Sequence, residues 1–207
     1  MTMASKKIKT LKKGKENFLK QGFKEGLQYL RESKTFVYAV SIVFVLFILI
    51  GYFVPAPELI EKKILKFIEE LIKTTEGMSW IELTGFIFFN NLQSSFFGMA
   101  LGIILGIFSV IVILANGYLL GFVVSKTVST EGILVLWRLL PHGIFEIPAI
   151  LLSTGLGLKL GTFIFKKNKI QLLKEFSQKS LKAFLFVIIP LLVIAALIEG
   201  TLIILFG

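Results

Sequence analysis

The amino-acid sequence predicts an all-α, polytopic membrane protein, a bundle of about five transmembrane helices. Hydrophobic residues make up 55% of the 207 residues and charged residues only 17%, and the mean hydropathy is +0.84. Charged residues are absent from 35–57, 83–125 and 183–198. About 20 consecutive apolar residues cross a bilayer as a helix, so this composition excludes a water-soluble enzyme.

The distribution of basic residues predicts the topology. Residues 1–34 hold ten Lys or Arg and three Glu, residues 166–182 hold six Lys and one Glu, and residues 55–82 hold four Lys and six Glu. Lys-rich and Arg-rich segments stay on the cytoplasmic side. We therefore expect a multi-pass protein of the cell membrane with a cytoplasmic N-terminus, a cytoplasmic loop at 166–182 and an external C-terminus. The net charge of +10 flanks apolar spans, so it does not indicate a nucleic-acid partner.

The chain divides into a basic cytoplasmic segment, 1–34, and a transmembrane domain, 35–207. Apolar residues recur at near-helical spacing among the lysines of the first segment. This pattern predicts an amphipathic helix that binds anionic lipid headgroups, the alternative being a solvated tail. The first apolar run starts too deep in the chain for a cleaved signal, so it is an uncleaved anchor that enters the lipid bilayer.

An external amphipathic helix is predicted at about 57–76. Pro55 and Pro57 end the first span, and Pro57 suits the first turn of a new helix. One face of that helix is apolar and the other carries Glu and Lys pairs four residues apart. It lies either on the outer leaflet or over the bundle.

Small residues predict close helix packing between 83 and 125. Four of them repeat every four residues, namely Ser94, Gly98, Gly102 and Gly106. Such a ridge lets helix backbones approach one another in lipid. It indicates either a tight intramolecular bundle or a homo-oligomer interface.

The segment 132–165 is predicted to be a broken helix, with the break at Pro141, Gly143 and Pro148. Each proline removes a backbone donor and disfavours helical geometry in the residue before it. Two topologies fit the charges: five spans, or three spans with a hairpin at 132–158 that enters from the cytoplasm. Five spans leave fewer apolar residues unexplained.

Polar residues within the apolar spans form a predicted intramembrane cluster. Its members are Asn90, Asn91, Asn116, Arg138, His142 and Glu146. Ionisable groups at membrane depth are costly, so they are expected to face one another or water. The expected pairing joins Glu146 to Arg138 or His142.

The cluster has several possible functions, and none of them requires a cofactor. One His without Cys falls short of a catalytic metal site, so no metal is predicted. No motif supplies a nucleophile or an oxyanion hole, so no catalytic residue is assigned and an intramembrane hydrolase is a third choice. The residues serve either as interhelical hydrogen-bonding groups or as part of a translocation path.

The sequence resembles the stage II sporulation protein M family. The resemblance rests on Phe89-Asn-Asn, the glycine ridge, Ala115-Asn-Gly-Tyr-Leu-Leu-Gly121 and above all Pro141-His-Gly-Ile-Phe-Glu-Ile-Pro148. It covers the chain from about residue 35 to the end. It implies a multi-span scaffold that works with peptidoglycan-degrading partners and supports membrane migration.

The leading functional prediction is a non-enzymatic scaffold or membrane-remodelling component that joins copies of itself or other membrane proteins. The alternative is a transporter, channel or lipid-translocation protein with a polar path at the broken helix. A polar cavity that reaches Glu146 favours transport. A dry, fully paired cluster favours a scaffold.

Overall fold

The chain folds as a helical bundle, as the sequence predicts. The computed structural model describes the backbone of residues 3–206 and the side chains of residues 17–134 and 143–206. Within this range no strand occurs. The helices are α1 (Met3–Glu32), α2 (Lys34–Phe53), α3 (Glu58–Thr75), α4 (Trp80–Ala100), α5 (Ile107–Glu131), α6 (Leu136–Gly161), α7 (Lys169–Ala183) and α8 (Ile189–Phe206).

Among the described residues, four helical segments are long and apolar enough to cross a membrane. They are Lys34–Phe53, Ile107–Glu131, Gly143–Phe165 and the apolar part of Lys169–Phe206. A fifth helix, α4, has 21 residues, about 31 Å at 1.5 Å per residue. Polar residues such as Asn90 and Asn91 lower its hydropathy. Since α4 contacts α6 and α8, it completes a bundle of five long helices.

Close contacts show the directions in which these helices run. Contact positions advance together along α4 and α6, and likewise along α2 and α5, so each pair is parallel. The contacts are Gly98–Thr154 and Gly102–Gly157 in the first pair, and Phe44–Gly117 and Ile48–Gly121 in the second. In contrast, the indole Nε1 of Trp80, at the start of α4, donates a hydrogen bond to Thr201, near the end of α8. Helices α4 and α8 are therefore antiparallel.

The bundle has two chemically different ends. Helices α1 and α7 lie together at one end, which we call the basic end, joined by an ion pair between Glu25 and Lys182 with an N–O distance of 2.6 Å. The segment 166–182, which was predicted to be a loop, is mostly helix α7. One side of this helix packs against α1. Helix α3 lies at the other end, the α3 end.

The predicted break in the segment 132–165 is wrong, because α6 continues through Pro141, Gly143 and Pro148. A proline removes only one of the helix's hydrogen bonds, and neighbouring helices allow transmembrane helices to keep their course through it. Here α2, α4, α5 and α8 all contact α6. The three-span alternative with a hairpin does not fit a single helix that runs through the bundle.

The regular α-helical backbone is interrupted at two places. A turn after α4 places Leu105 at φ 56° and Gly106 at φ 72°, both left-handed. In addition, a π-helical segment, Phe184–Ile188, joins α7 to α8 just before Pro190. The core lies where α4, α6 and α8 meet, around the fully buried Leu156 and Leu192.

Candidate functional site

A cavity of about 430 Å³ lies at the α3 end, between α3 and helices α4, α5, α6 and α8. Five amide or carboxyl side chains line it: Asn90, Asn91, Asn116, Glu146 and Glu199. Its other lining residues are mainly apolar. The structure thus brings together four residues of the predicted cluster, from three different helices.

Helix α4 contributes two adjacent amides in different environments. A capping box fixes the start of α4, since Glu82 and Ser79 bond to each other's backbone N–H groups. About 100° of helix separates successive side chains. Asn91 accordingly points into the bundle and is only 8% exposed, whereas Asn90 is exposed at the cavity.

Helix α5 contributes Asn116, whose orientation is restricted by its own helix. The amide Nδ2 donates a hydrogen bond to the Val112 carbonyl at 2.8 Å. The next residue, Gly117, has no room for a side chain, because an ideal Cβ there would lie 2.8 Å from the Phe44 carbonyl oxygen. The close contact between α5 and α2 thereby holds the amide at the cavity wall.

Two carboxyl groups line the cavity, Glu146 on α6 and Glu199 on α8. Both side chains are half-buried, and both have interaction partners. Glu199 is not a member of the cluster predicted from the sequence. The available signal was its position as an acidic residue in the last apolar span, where an ionisable group suggests a functional site.

Of the remaining residues predicted for the cluster and the helix break, some lie outside the described side chains and one lines the cavity. The side chains of Arg138, Pro141 and His142 lie outside the described residues, so their expected pairing with Glu146 stays a prediction. Gly143 lines the cavity.

One wall of the cavity comes from α3. Phe67, Ile68, Leu71, Ile72 and Thr75 all line the cavity. The Thr75 hydroxyl donates to the Leu71 carbonyl of its own helix at 3.0 Å. Polar groups of the bundle therefore face an apolar cover, an arrangement that suits a molecule with one polar and one apolar part.

The small-residue ridge lies on the basic-end side of the cavity, where α4 and its following turn meet α6. An ideal Cβ at Gly102 would lie 2.2 Å from the Gly157 carbonyl oxygen, and one at Gly161 would lie 2.2 Å from the Gly106 nitrogen. Gly98 packs against Thr154, and Ser94 is half-buried. Since backbones touch here, the cavity is confined to the α3 half of the bundle.

The described part of the chain contains no group of three or more His, Cys, Asp or Glu residues that could hold a metal ion. The cavity instead offers amide donors and acceptors together with carboxylate acceptors. These groups can bind the polar part of a ligand by hydrogen bonding.

Comparison with known proteins identifies the relatives of the chain. The family model of stage II sporulation protein M matches residues 40–202. Uncharacterized protein MJ0706 of Methanocaldococcus jannaschii is 32% identical over 82% of this chain and 78% of its own length. Uncharacterized protein MJ0793 of the same organism is 36% identical over 53% of this chain and 65% of its own length. No solved structure matches the chain.

Proposed function

Because the chain belongs to the stage II sporulation protein M family and is a polytopic helical membrane protein, we propose that it binds membrane-soluble molecules without transforming them. In this proposal the cavity takes the polar part of an amphiphile, above all a lipid headgroup, during lipid translocation or transport. The observation that carries the proposal is the cavity that reaches Glu146, lined by amides and carboxyl groups and covered by α3.

The cost of polar groups at membrane depth supports this function. An ionisable side chain in a transmembrane helix costs at least a few kcal/mol unless it meets water or a partner. Glu146 and Glu199 lie on two different spanning helices and meet at the same cavity. A cavity of about 430 Å³ is within the usual size range of small-molecule sites. It suits a headgroup whose chains remain in the bilayer.

The described lining residues also favour binding over catalysis. Among them no Ser, Cys or Lys occurs, and the one hydroxyl, Thr75, donates to its own helix. A mechanism of the serine, cysteine or lysine type needs that nucleophile within reach of a base. We therefore propose a non-enzymatic role.

Lipid retention by the purified protein tests this function. Asn91→Leu and Asn116→Leu each remove an amide from the cavity. A neutral hydrogen bond contributes about 0.5–1.5 kcal/mol, so each variant is expected to retain roughly two- to tenfold less lipid in native mass spectrometry. Asn168→Leu is the matched control, because Asn168 precedes α7 at the basic end. Equal retention by all four proteins would contradict the proposal.

A scaffold or remodelling role is a second candidate, favoured by the layer that α1 and α7 form at the basic end. Phe18, Leu19 and Phe23 of α1 are exposed beside Lys20 and Lys24. This surface suits anionic lipid headgroups on the cytoplasmic side, with the C-terminus outside.

Hydrogen exchange of the full chain tests this second candidate. In bilayers with anionic lipid, α1 amides should exchange more slowly than in neutral bilayers, and charge reversal of Lys20 and Lys24 should remove that difference. The same reversal at Lys62 and Lys63 of α3 is the control. Exchange of α1 that ignores lipid charge would argue against this role.

A further inference from the structure

Helix α3 differs from the five bundle helices in how weakly it is held. None of its residues is buried, and Phe67 and Ile72, which line the cavity, are still 47% and 62% exposed. An amphipathic helix of this kind keeps much of its apolar face available to another apolar surface. Its position over the cavity is therefore not fixed by core packing.

The links on both sides of α3 permit it to move as a unit. Before it, the chain is non-helical at 54–57 and includes Pro55 and Pro57. After it, Gly77 adopts φ +75°, and an added Cβ there would meet nothing within 4 Å. Short links of this kind can absorb the backbone change when a rigid helix swings. Most of the freedom here comes from the Gly77 side, because proline fixes φ.

One ion pair connects α3 to the bundle within the part of the chain that the structure describes. Lys126, near the end of α5, binds Glu61 of α3 with an N–O distance of 2.5 Å. The ammonium group of Lys126 also lies 5.5 Å from the centre of the Phe122 ring on α5. The other ion pairs of α3, Glu58–Lys62, Lys66–Glu70 and Glu69–Lys73, join residues of α3 itself.

We propose that α3 is the gate of the cavity and that the Glu61–Lys126 ion pair holds it closed. When the gate opens, α3 transfers its apolar face from the cavity to the membrane surface, where amphipathic helices bind. The identity of the molecule admitted rests on the proposed function above, whereas the movement of α3 does not.

The gate can be tested by thiol labelling, because the chain contains no cysteine. Leu120 lines the cavity, so Leu120→Cys reports on access when a membrane-impermeant maleimide is added on the α3 side. Into this background we would introduce Glu61→Lys, Lys126→Glu, or both. Each single change replaces the attraction by repulsion, whereas the double change restores an ion pair of opposite orientation.

The expected result follows from the exposure of the pair, whose side chains are 53% and 32% accessible. Exposed pairs of this type change equilibria by small factors, so each single variant should label roughly two- to fivefold faster. The double variant should label at the starting rate. Two controls should show no change: Lys66→Glu, whose partner Glu70 is on the same helix, and the same charge variants with the reporter at Leu134→Cys, an exposed position outside the cavity lining and eight residues from Lys126.

The outcomes separate the gate from the proposed function. The gate is overturned if the reporter at Leu120 is labelled equally in the parent, both single charge variants and the double variant. It is also overturned if the double variant labels as fast as the single variants. Labelling that follows the charge changes supports the gate even if lipid retention is insensitive to Asn116. That second result would reject lipid binding and leave the movement of α3 in place.

Discussion

The contact between the turn after α4 and α6 makes a quantitative prediction for Gly102→Ala. An ideal Cβ at Gly102 would lie 2.2 Å from the carbonyl oxygen of Gly157 and 2.4 Å from its carbonyl carbon. Both contacts are backbone atoms, so no side chain can rotate away. To reach an ordinary separation of about 3.4 Å, the backbones must move apart by about 1.2 Å, and a gap of 0.5–1 Å already removes a quarter to a half of a dispersion contact.

Close contacts around α6 leave little room for that movement. An ideal Cβ at Gly155 would lie 2.9 Å from the Cα of Val37 on α2, and one at Gly157 would lie 2.3 Å from the Ser109 hydroxyl. That hydroxyl donates to the Gly98 carbonyl at 2.6 Å, a buried hydrogen bond between α5 and α4. Overpacking of a tight core costs about 1–3 kcal/mol, so we expect a loss of at least about 2 kcal/mol here.

Gly85→Ala is the matched control, because an added Cβ at this position meets nothing within 4 Å. Alanine is preferred to glycine inside a helix by about 0.5–1 kcal/mol, so this variant should be as stable as the parent protein or more so. At roughly 2–4 °C per kcal/mol for a chain of this length, Gly102→Ala should lower the melting temperature by roughly 4–8 °C. The assay is thermal unfolding of the detergent-solubilised protein. If both variants melt together, the backbone contact does not stabilise the bundle.

Three further predictions concern topology, the basic end and pH. Ser129→Cys and Lys167→Cys should be labelled by an impermeant maleimide from opposite sides of the membrane, and labelling from one side would contradict five crossings. Lys159→Met should lower stability by about 1–3 kcal/mol in chemical unfolding, because the ammonium donates to Ser33 at 3.0 Å and lies 4.0 Å from the Tyr29 ring centre. Burial raises the pKa of Tyr29 from 10.0 to about 12, so its contribution is complete below pH 10 and is lost as the pH rises through 12. Tyr29→Phe should flatten that loss in melting curves, and an unchanged pH dependence would show that another group causes it.

Much of the fold follows from hydropathy and helix-ending residues. The expected helix at about 57–76 is α3, Glu58–Thr75, because Pro57 sets its start and its apolar face has helical spacing. The uncharged stretch 83–125 divides into α4 and α5 near the middle of the stretch. Local sequence contains these signals, so no knowledge of neighbouring helices is needed.

Other features depend on contacts between distant segments. The sequence predicts a break around Pro148, but the surrounding helices hold α6 in one piece. The two basic segments lie together in the structure, where Glu25 pairs with Lys182. A count of charges cannot reveal which individual side chains pair.

The candidate site likewise contains residues that local sequence predicts and one that depends on contacts between distant segments. Asn90, Asn91, Asn116 and Glu146 could be selected because polar groups are rare in apolar spans. Glu199 joins them only because α8 packs against α4 and α6. The extent of the cavity cannot be predicted from local sequence either, because one of its walls is α3.

The π-helical segment explains how α7 and α8, which form one continuous helix, pack against different partners. The backbone N–H of Ile189 bonds to the Phe184 carbonyl, five residues earlier, so this turn holds one residue more than an α-helical turn. The added residue changes the angular register between α7, which faces α1, and α8, which faces α4 and α6. In a homologue that lacks one residue here, the contact faces of α7 and α8 would be rotated relative to each other by about 100°. Such a protein would need a compensating change in either α1 or the membrane bundle.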